Sequence, residues 1–214
     1  MRFTEQQIQS LRLKVKERLS EKRYIHTLGV EEMAVEIGKA CLPERIDELR
    51  AAALLHDISK EYSEAEHLNV AKRHNIIMSD EDMAAPALWH SITAGAVVSE
   101  DFPEYATSDV LSAVVNHTVG SWDMSTFDSI ILLADYIEAG RKYQNCVSLR
   151  ETFLHELSLS KDAEDSIRAL DRAVFVSLDN NLKEFISRGA DYHSRTKATR
   201  DAILAKTERQ NNGN

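Results

Sequence analysis

Histidine and aspartate side chains interrupt or end apolar stretches at several places in this sequence. The stretches are RYIHTLGV, AAALLHD, PALWH, DVLSAVVNH and SIILLAD. The polar residues within them are His26, His56, Asp57, His90, His117 and Asp135. An ionised carboxylate in apolar surroundings is unfavourable unless it is paired with a cation or bound to a metal. Mixed imidazole and carboxylate ligands suit iron, manganese, cobalt or zinc better than calcium or magnesium, so the set predicts a metal centre.

The adjacent pair His56-Asp57 suggests more than one metal ion. Neighbouring residues on a helix point about 100° apart, so at a helix end each can face a different ion, or the carboxylate can bridge both. Two ions about 3.5–4 Å apart can hold a bridging hydroxide and orient a phosphoryl group for in-line attack. The pattern therefore favours a dinuclear hydrolase that acts on phosphate compounds.

The elements that must position these residues are predicted to be helices. Apolar residues recur at helical spacing in nearly every long segment, and only 7 glycines and 3 prolines are present. Thr4 and Gln7 form a candidate capping box for the first helix. The stretch SIILLADYIEAG is rich enough in β-branched residues for a strand, but its length and helical surroundings favour a buried helix. Further helices are expected at about residues 21–41, 44–56, 63–74, 147–157, 163–188 and 194–206, with others after Pro86 and Pro103.

The chain is therefore expected to be all-α, with a metal-binding domain over residues 1–145. Residues 146–208 are expected to form helices packed on that domain, and residues 209–214 a disordered tail. The role of the C-terminal helices stays open between completing the core, covering the pocket and making a dimer contact.

Charge and composition exclude some functional classes. The formal net charge of −9 argues against a nucleic-acid or anionic-lipid binder, although a metal site can still attract a small phosphorylated substrate. The sequence contains no run of about 18 apolar residues, so no membrane span is expected. The charged N-terminus does not resemble a signal peptide. Cys41 and Cys146 lack metal-site spacing; a single disulfide between them stays open, but the simpler interpretation is a reduced, cytoplasmic protein.

The local strings RYIHTLGV, ALLHDISK, LWHSITAGAVV, VVNHTVG and ILLADYIEAGR resemble the HD-domain superfamily, and within it the YqeK family of symmetrical dinucleoside tetraphosphate hydrolases. The resemblance covers about residues 20–145. It implies an HD-domain helical bundle with a C-terminal helical extension, and two metal ions, typically iron. A metal-bound hydroxide would cut diadenosine tetraphosphate into two ADP.

The same resemblance implies roles for individual residues. It assigns the first metal to His26, His56, Asp57 and Asp135, and the second to His90 and His117, with Asp57 bridging both. Asp57 and Lys60 are the implied catalytic residues, and the candidate substrate contacts are Lys60, Arg141, Thr118 and Gly120. Two positions depart from the usual family pattern. Val119 replaces the second threonine of Thr-Thr-Gly, and Ala139 replaces a proline after Glu138, which leaves the choice of substrate less well defined than the metal site.

Each residue also has a simpler interpretation. Lys60 can offset a helix dipole, Arg141 can form a surface ion pair, and Glu138 can support a ligand histidine or point to solvent. Thr27 and Thr118 are either hydrogen-bond donors near the centre or ordinary helix residues. Trp89 is expected to pack in the core, while Trp122 can pack or stack on a base. The remaining histidines are expected to be solvated; they are His67, His74, His155 and His193.

Two other functions compete with the first. One is hydrolysis of another nucleotide, either a mononucleotide or a cyclic dinucleotide. The other is a regulatory module that senses a nucleotide without cutting it, against which the complete ligand set argues. A small nucleotide is the expected partner in all cases, and a homodimer stays open.

Overall fold

A computed structural model describes residues 2–212, with side chains described up to residue 209. Within this range the chain forms eleven α-helices and three short 3-10 turns, and no strand. The helices are α1 (Glu5–Arg18), α2 (Glu21–Cys41), α3 (Ile46–Leu55), α4 (Glu64–Arg73), α5 (Asp80–Met83), α6 (Trp89–Asp101), α7 (Ser108–Asn116), α8 (Thr126–Ile137), α9 (Gln144–Leu159), α10 (Ala163–Ser187) and α11 (Ser194–Asn212). The all-α prediction is confirmed.

Local capping sets several of the helix starts. The Thr4–Gln7 capping box expected at the start of α1 is present. Equivalent capping boxes are present at the start of α4, where Ser63 is the N-cap, and of α8, where Ser125 is the N-cap. Each one satisfies backbone N–H groups that the first helical turn leaves without partners. The short helix α5 begins the same way at Ser79 but was not predicted, because four residues are too few for a periodic signal.

Helix α3 lies at the centre of the fold. It packs against α1, α2, α7 and α8, and eight of its ten residues are buried. Helix α8 is also largely buried, so SIILLADYIEAG forms the expected helix rather than a strand. Because α3 ends in the middle of the core, the residues that follow it are delivered to the interior of the molecule.

The C-terminal helices pack directly on this core. Helix α10 contacts α8 and α2, α9 contacts α8, and α11 lies along α10. Gly189 follows α10 with a positive φ of 62°, a backbone conformation that glycine often adopts just after a helix. Helix α11 runs to Asn212 and so extends into the segment expected to be a tail; residues 213 and 214 lie outside the described residues.

The predicted solvent exposure of two histidines is wrong. His67 and His193 were expected in solvent, but both are buried. Nδ1 of His67 lies 2.8 Å from Oγ1 of Thr93, and Nε2 of His193 lies 3.0 Å from Oδ1 of Asp82.

Two of the four histidines expected in solvent, His74 and His155, are exposed. No helix among residues 2–212 is both long and apolar enough to cross a membrane.

Leu54 provides a test of the central position of α3. Its side chain is fully buried, so Leu54→Ala is expected to lower the free energy of unfolding by about 2–5 kcal/mol. The matched change Leu13→Ala removes a side chain that is 65% exposed. It is expected to change the free energy of unfolding by no more than about 0.5 kcal/mol. Urea denaturation of both variants measures the difference, and equal losses would contradict this placement of α3.

Candidate metal centre

Five segments bring the six predicted ligand residues together. His26 lies on α2, His90 on α6 and Asp135 on α8, while His117 directly follows α7. His56 and Asp57 follow the last residue of α3, where the chain enters a series of turns. Potential ligand atoms within 4.8 Å of one another form two groups of three. The first group is His26, His56 and Asp135, and the second is Asp57, His90 and His117.

Asp57 joins the two groups because each of its carboxylate oxygens faces a different one. Its Oδ2 lies 3.8 Å from Nε2 of His26 and 3.5 Å from Nε2 of His56. Its Oδ1 lies 3.4 Å from Nε2 of His90 and 3.6 Å from Nε2 of His117. This is the arrangement that a carboxylate needs in order to bridge two cations.

All four imidazole rings are oriented with Nε2 toward the centre. Three of them place Nδ1 near the backbone carbonyl of the residue three positions earlier. These contacts are His56 with Ala53 at 2.6 Å, His90 with Ala87 at 2.9 Å and His117 with Val114 at 2.8 Å. The fourth ring, His26, places Nδ1 3.2 Å from Oε1 of Glu138. A hydrogen bond at Nδ1 fixes the tautomer that leaves Nε2 free to bind a metal.

Glu138 is held in a site with no room for another side chain. It is 4% exposed and accepts a hydrogen bond from the backbone N–H of Gly140. A methyl group added to Gly29 would lie 2.6 Å from the Glu138 carboxylate, and one added to Gly140 would lie 2.8 Å from it. Of the two interpretations of Glu138 from sequence, the structure therefore favours support of His26 over solvent exposure.

Three cationic side chains surround the two groups. Nη1 of Arg23 lies 2.6 Å from Oδ2 of Asp57, and Nη2 of Arg141 lies 2.6 Å from Oδ1 of Asp135. Nζ of Lys60 lies 3.0 Å from Nε2 of His90. Arg23 was not singled out from the sequence. Its position three residues before His26, on the same face of α2, is the signal that would have identified it.

The surroundings shift the pKa values of these groups strongly. Burial opposes protonation of His26, but the nearby Asp135 and Glu138 carboxylates outweigh it and raise the pKa of His26 to about 9. Burial, together with His117 and Lys60, lowers the pKa of His90 to about 2. Burial raises the pKa of Asp57, but the imidazoles of His56 and His117 outweigh it and hold that pKa well below its usual range. The carboxylate is therefore ionised and His90 is neutral, as metal ligation requires, whereas His26 would have to release a proton in order to bind a metal ion.

The Nε2 atoms of the clustered histidines have few hydrogen-bond partners in the protein. Nε2 of His56 is buried and makes no hydrogen bond within the described chain. Nε2 of His26 makes none of good geometry, although it lies 3.0 Å from Oδ1 of Asp135. Nε2 of His90 and Nε2 of His117 face each other at 3.2 Å. Buried polar atoms normally have a partner, and a cation in each group would supply it. The donor set of imidazole nitrogen and carboxylate oxygen thus fits a pair of transition-metal ions.

The remaining candidates divide between the site and the core. Oγ1 of Thr118 lies 3.3 Å from Nε2 of His90, at the centre. Gly120 packs against Thr199, with a positive φ of 71° and no room for a side chain there. Thr27 is fully buried, and its hydroxyl makes no hydrogen bond within the described residues, so it donates to no ligand histidine.

The two tryptophans differ in solvent exposure. Trp89 is buried, and its indole N–H donates to the Asp82 carbonyl at 2.7 Å, which confirms the packing role. Trp122 is 75% exposed.

Comparisons with known proteins agree with this arrangement. The HD domain family model matches residues 23–140. The chain is 27% identical over 190 residues to the symmetrical bis(5'-nucleosyl)-tetraphosphatase of Halalkalibacterium halodurans, covering 89% of this chain and 93% of that protein. It is 30% identical over 154 residues to the Bacillus subtilis protein of the same name, covering 72% of this chain and 80% of the relative.

A crystal structure from Clostridium acetobutylicum, described as a predicted HD superfamily hydrolase involved in NAD metabolism, has the same fold. Its TM-score is 0.79 at 27% identity, with 95% of this chain and 98% of that chain covered. The family match spans more than half of the 214 residues and includes all six clustered side chains. The chain therefore belongs to the HD domain family and is a hydrolase.

Proposed function

We propose that this protein hydrolyses dinucleoside tetraphosphates and cuts diadenosine tetraphosphate symmetrically into two ADP. Two metal ions would be held by His26, His56, Asp57, His90, His117 and Asp135. The observation that carries the proposal is the position of Asp57, whose two oxygens each face a separate group of ligand atoms. The names of the relatives from H. halodurans and B. subtilis support the substrate.

The donor atoms suit iron, with manganese, cobalt or zinc as alternatives. When bound, such ions lower the pKa of coordinated water toward neutrality and polarise phosphoryl oxygens. The protein's part is to hold the ligand rings rigid. Glu138 and the backbone carbonyls do this by anchoring every Nδ1.

The cations around the centre suit a polyphosphate chain. Arg23 and Arg141 each contact a carboxylate that is a proposed metal ligand, and Lys60 contacts a proposed ligand histidine. With those ligands committed to metal ions, the guanidinium and ammonium groups are free to donate hydrogen bonds to phosphate oxygens. An arginine can contact two phosphate oxygens at once through its planar donor fork, which suits a substrate with several phosphates in a row.

A second candidate is hydrolysis of a different nucleotide by the same centre. The description of the C. acetobutylicum structure, which refers to NAD metabolism, favours this alternative. A module that senses a nucleotide without hydrolysing it is disfavoured, because all six proposed ligand residues are present and lie in two groups that could each hold a metal ion.

Product analysis tests the proposed reaction. Iron- or manganese-loaded protein is expected to convert diadenosine tetraphosphate into ADP alone, because the cut falls in the middle of the phosphate chain. Chromatographic separation of the products over time measures this. ATP together with AMP, or no turnover of this compound alongside turnover of another nucleotide, would reject the substrate.

Asp57→Ala tests the bridging role. The change removes one ligand oxygen from each group, so both metal ions are expected to be lost, and turnover is expected to fall more than about 100-fold. The control is His155→Ala, which alters an exposed histidine on α9. Elemental analysis of the two purified variants measures metal content, and equal content would contradict the assignment.

Glu138→Gln tests the support of His26. Glu138 faces both Nδ1 of His26 and the N–H of Gly140, whereas an amide has a single acceptor oxygen, so one of these groups loses its partner. The affinity of the metal bound by His26 is expected to fall by about 10–100-fold, while the other ion is retained.

Stepwise removal with a chelator distinguishes the two ions, and thermal unfolding of the metal-free protein is the control for folding. If the two ions were released together as in the unaltered protein, Glu138 would have no such role.

A further inference from the structure

A cavity of about 310 Å³ begins at the metal centre and extends to the C-terminal helices. Its inner end is lined by His117, Asp135, Thr118 and Arg141. Its outer end is lined by residues near and on α9 and α10, namely Tyr143, Asn145, Asn181, Glu184 and Arg188. The latter group lies beyond residue 140, where the HD family match ends.

Exposure distinguishes the two ends of the cavity. His117 is buried, and the Asp135 side chain is 21% exposed. Tyr143 is 72% exposed, and the Arg188 side chain is 71% exposed. The outer group therefore forms the mouth, and a ligand whose phosphates lie at the centre must extend past it.

The mouth differs from the inner end in its charge. Nη2 of Arg188 lies 2.5 Å from Oε1 of Glu184, so these two charges neutralise each other. The other mouth residues are two amides and a phenol, which are uncharged hydrogen-bonding groups. At the inner end, Arg141 is likewise paired with Asp135, but Asp135 is a proposed metal ligand, so its binding to a cation would leave the Arg141 guanidinium available to an anionic group. The cavity thus suits a ligand with an anionic head and a neutral, hydrogen-bonding tail.

We propose that the mouth of this cavity is a nucleoside subsite, built by the segment from Tyr143 to α10, which binds the base and ribose of one half of the substrate. This inference rests on the proposed nucleotide hydrolase function and assigns a role to helices outside the matched family segment. The volume lies at the lower end of the range for small-ligand pockets, about 300–1,000 Å³, so the cavity takes one nucleoside diphosphate half rather than a whole dinucleotide.

Individual side chains at the mouth match the parts of a nucleoside. Tyr143 presents an exposed aromatic ring on which a base can stack. The amides of Asn145 and Asn181, both only partly exposed, can donate to and accept from base edges or ribose hydroxyls. Trp122, although exposed, does not line the cavity and is excluded from the subsite.

Binding of ADP and of inorganic pyrophosphate to the manganese-loaded full-length protein separates the nucleoside contribution from the phosphate contribution. Calorimetry is expected to show that the unaltered protein binds ADP more tightly than pyrophosphate. Tyr143→Ala and Asn181→Ala are each expected to weaken ADP binding roughly tenfold and to leave pyrophosphate binding within about twofold. Trp122→Ala, the matched aromatic control, is expected to change neither.

Equal affinity of the unaltered protein for the two ligands would overturn the subsite. So would variants that lose ADP and pyrophosphate binding in equal proportion, or that keep full affinity for ADP. Because these measurements involve no turnover, their outcome is independent of the proposed reaction. A protein that binds ADP through Tyr143 but fails to cut diadenosine tetraphosphate would refute the reaction and keep the subsite.

Discussion

A carboxylate buried at the end of an apolar helix is the constraint around which this molecule is arranged. Asp57 is 3% exposed and follows α3, which the rest of the fold encloses. An isolated charge in that position would destabilise the fold by several kcal/mol, so both of its oxygens need positive partners. Arg23 meets one of them directly, and the four imidazoles surround both. The burial that makes this carboxylate unfavourable without a partner would also suit it to the proposed role of bridging two metal ions.

The ligand histidines show how the position of a residue within its element decides what must support it. His56 and His117 directly follow their helices, and His90 lies in the first turn of α6, so each can reach a backbone carbonyl three residues earlier. His26 lies within α2, where backbone carbonyls are already used by the helix. Its Nδ1 therefore needs a side chain from another element, and Glu138 supplies it from the end of α8. Gly29 and Gly140 leave the space that this carboxylate occupies.

Much of this could be predicted from the sequence, because apolar spacing and capping residues define helices locally. The six ligand candidates were identifiable because a histidine or aspartate inside an apolar stretch is costly to bury unless it binds a partner. Arg23 was missed because an arginine in the first turn of a helix usually lies at the surface. His67 and His193 were misjudged because their neighbours in sequence are polar, whereas the partners that bury them, Thr93 and Asp82, come from distant segments.

The overall charge of the chain makes the local arrangement of cations decisive. A protein with a net charge of −9 repels a tetraphosphate at long range, but salt screens interactions between exposed charges beyond about 8 Å. In the proposed reaction, attraction would therefore come from groups close to the phosphates, and the candidates are Arg23, Lys60 and Arg141 together with the proposed metal ions. Because these three cations contact the proposed metal ligands themselves, phosphate binding and metal binding would depend on each other. A phosphate compound that reached only one of the three cations would then be held less strongly than a polyphosphate that reached all three.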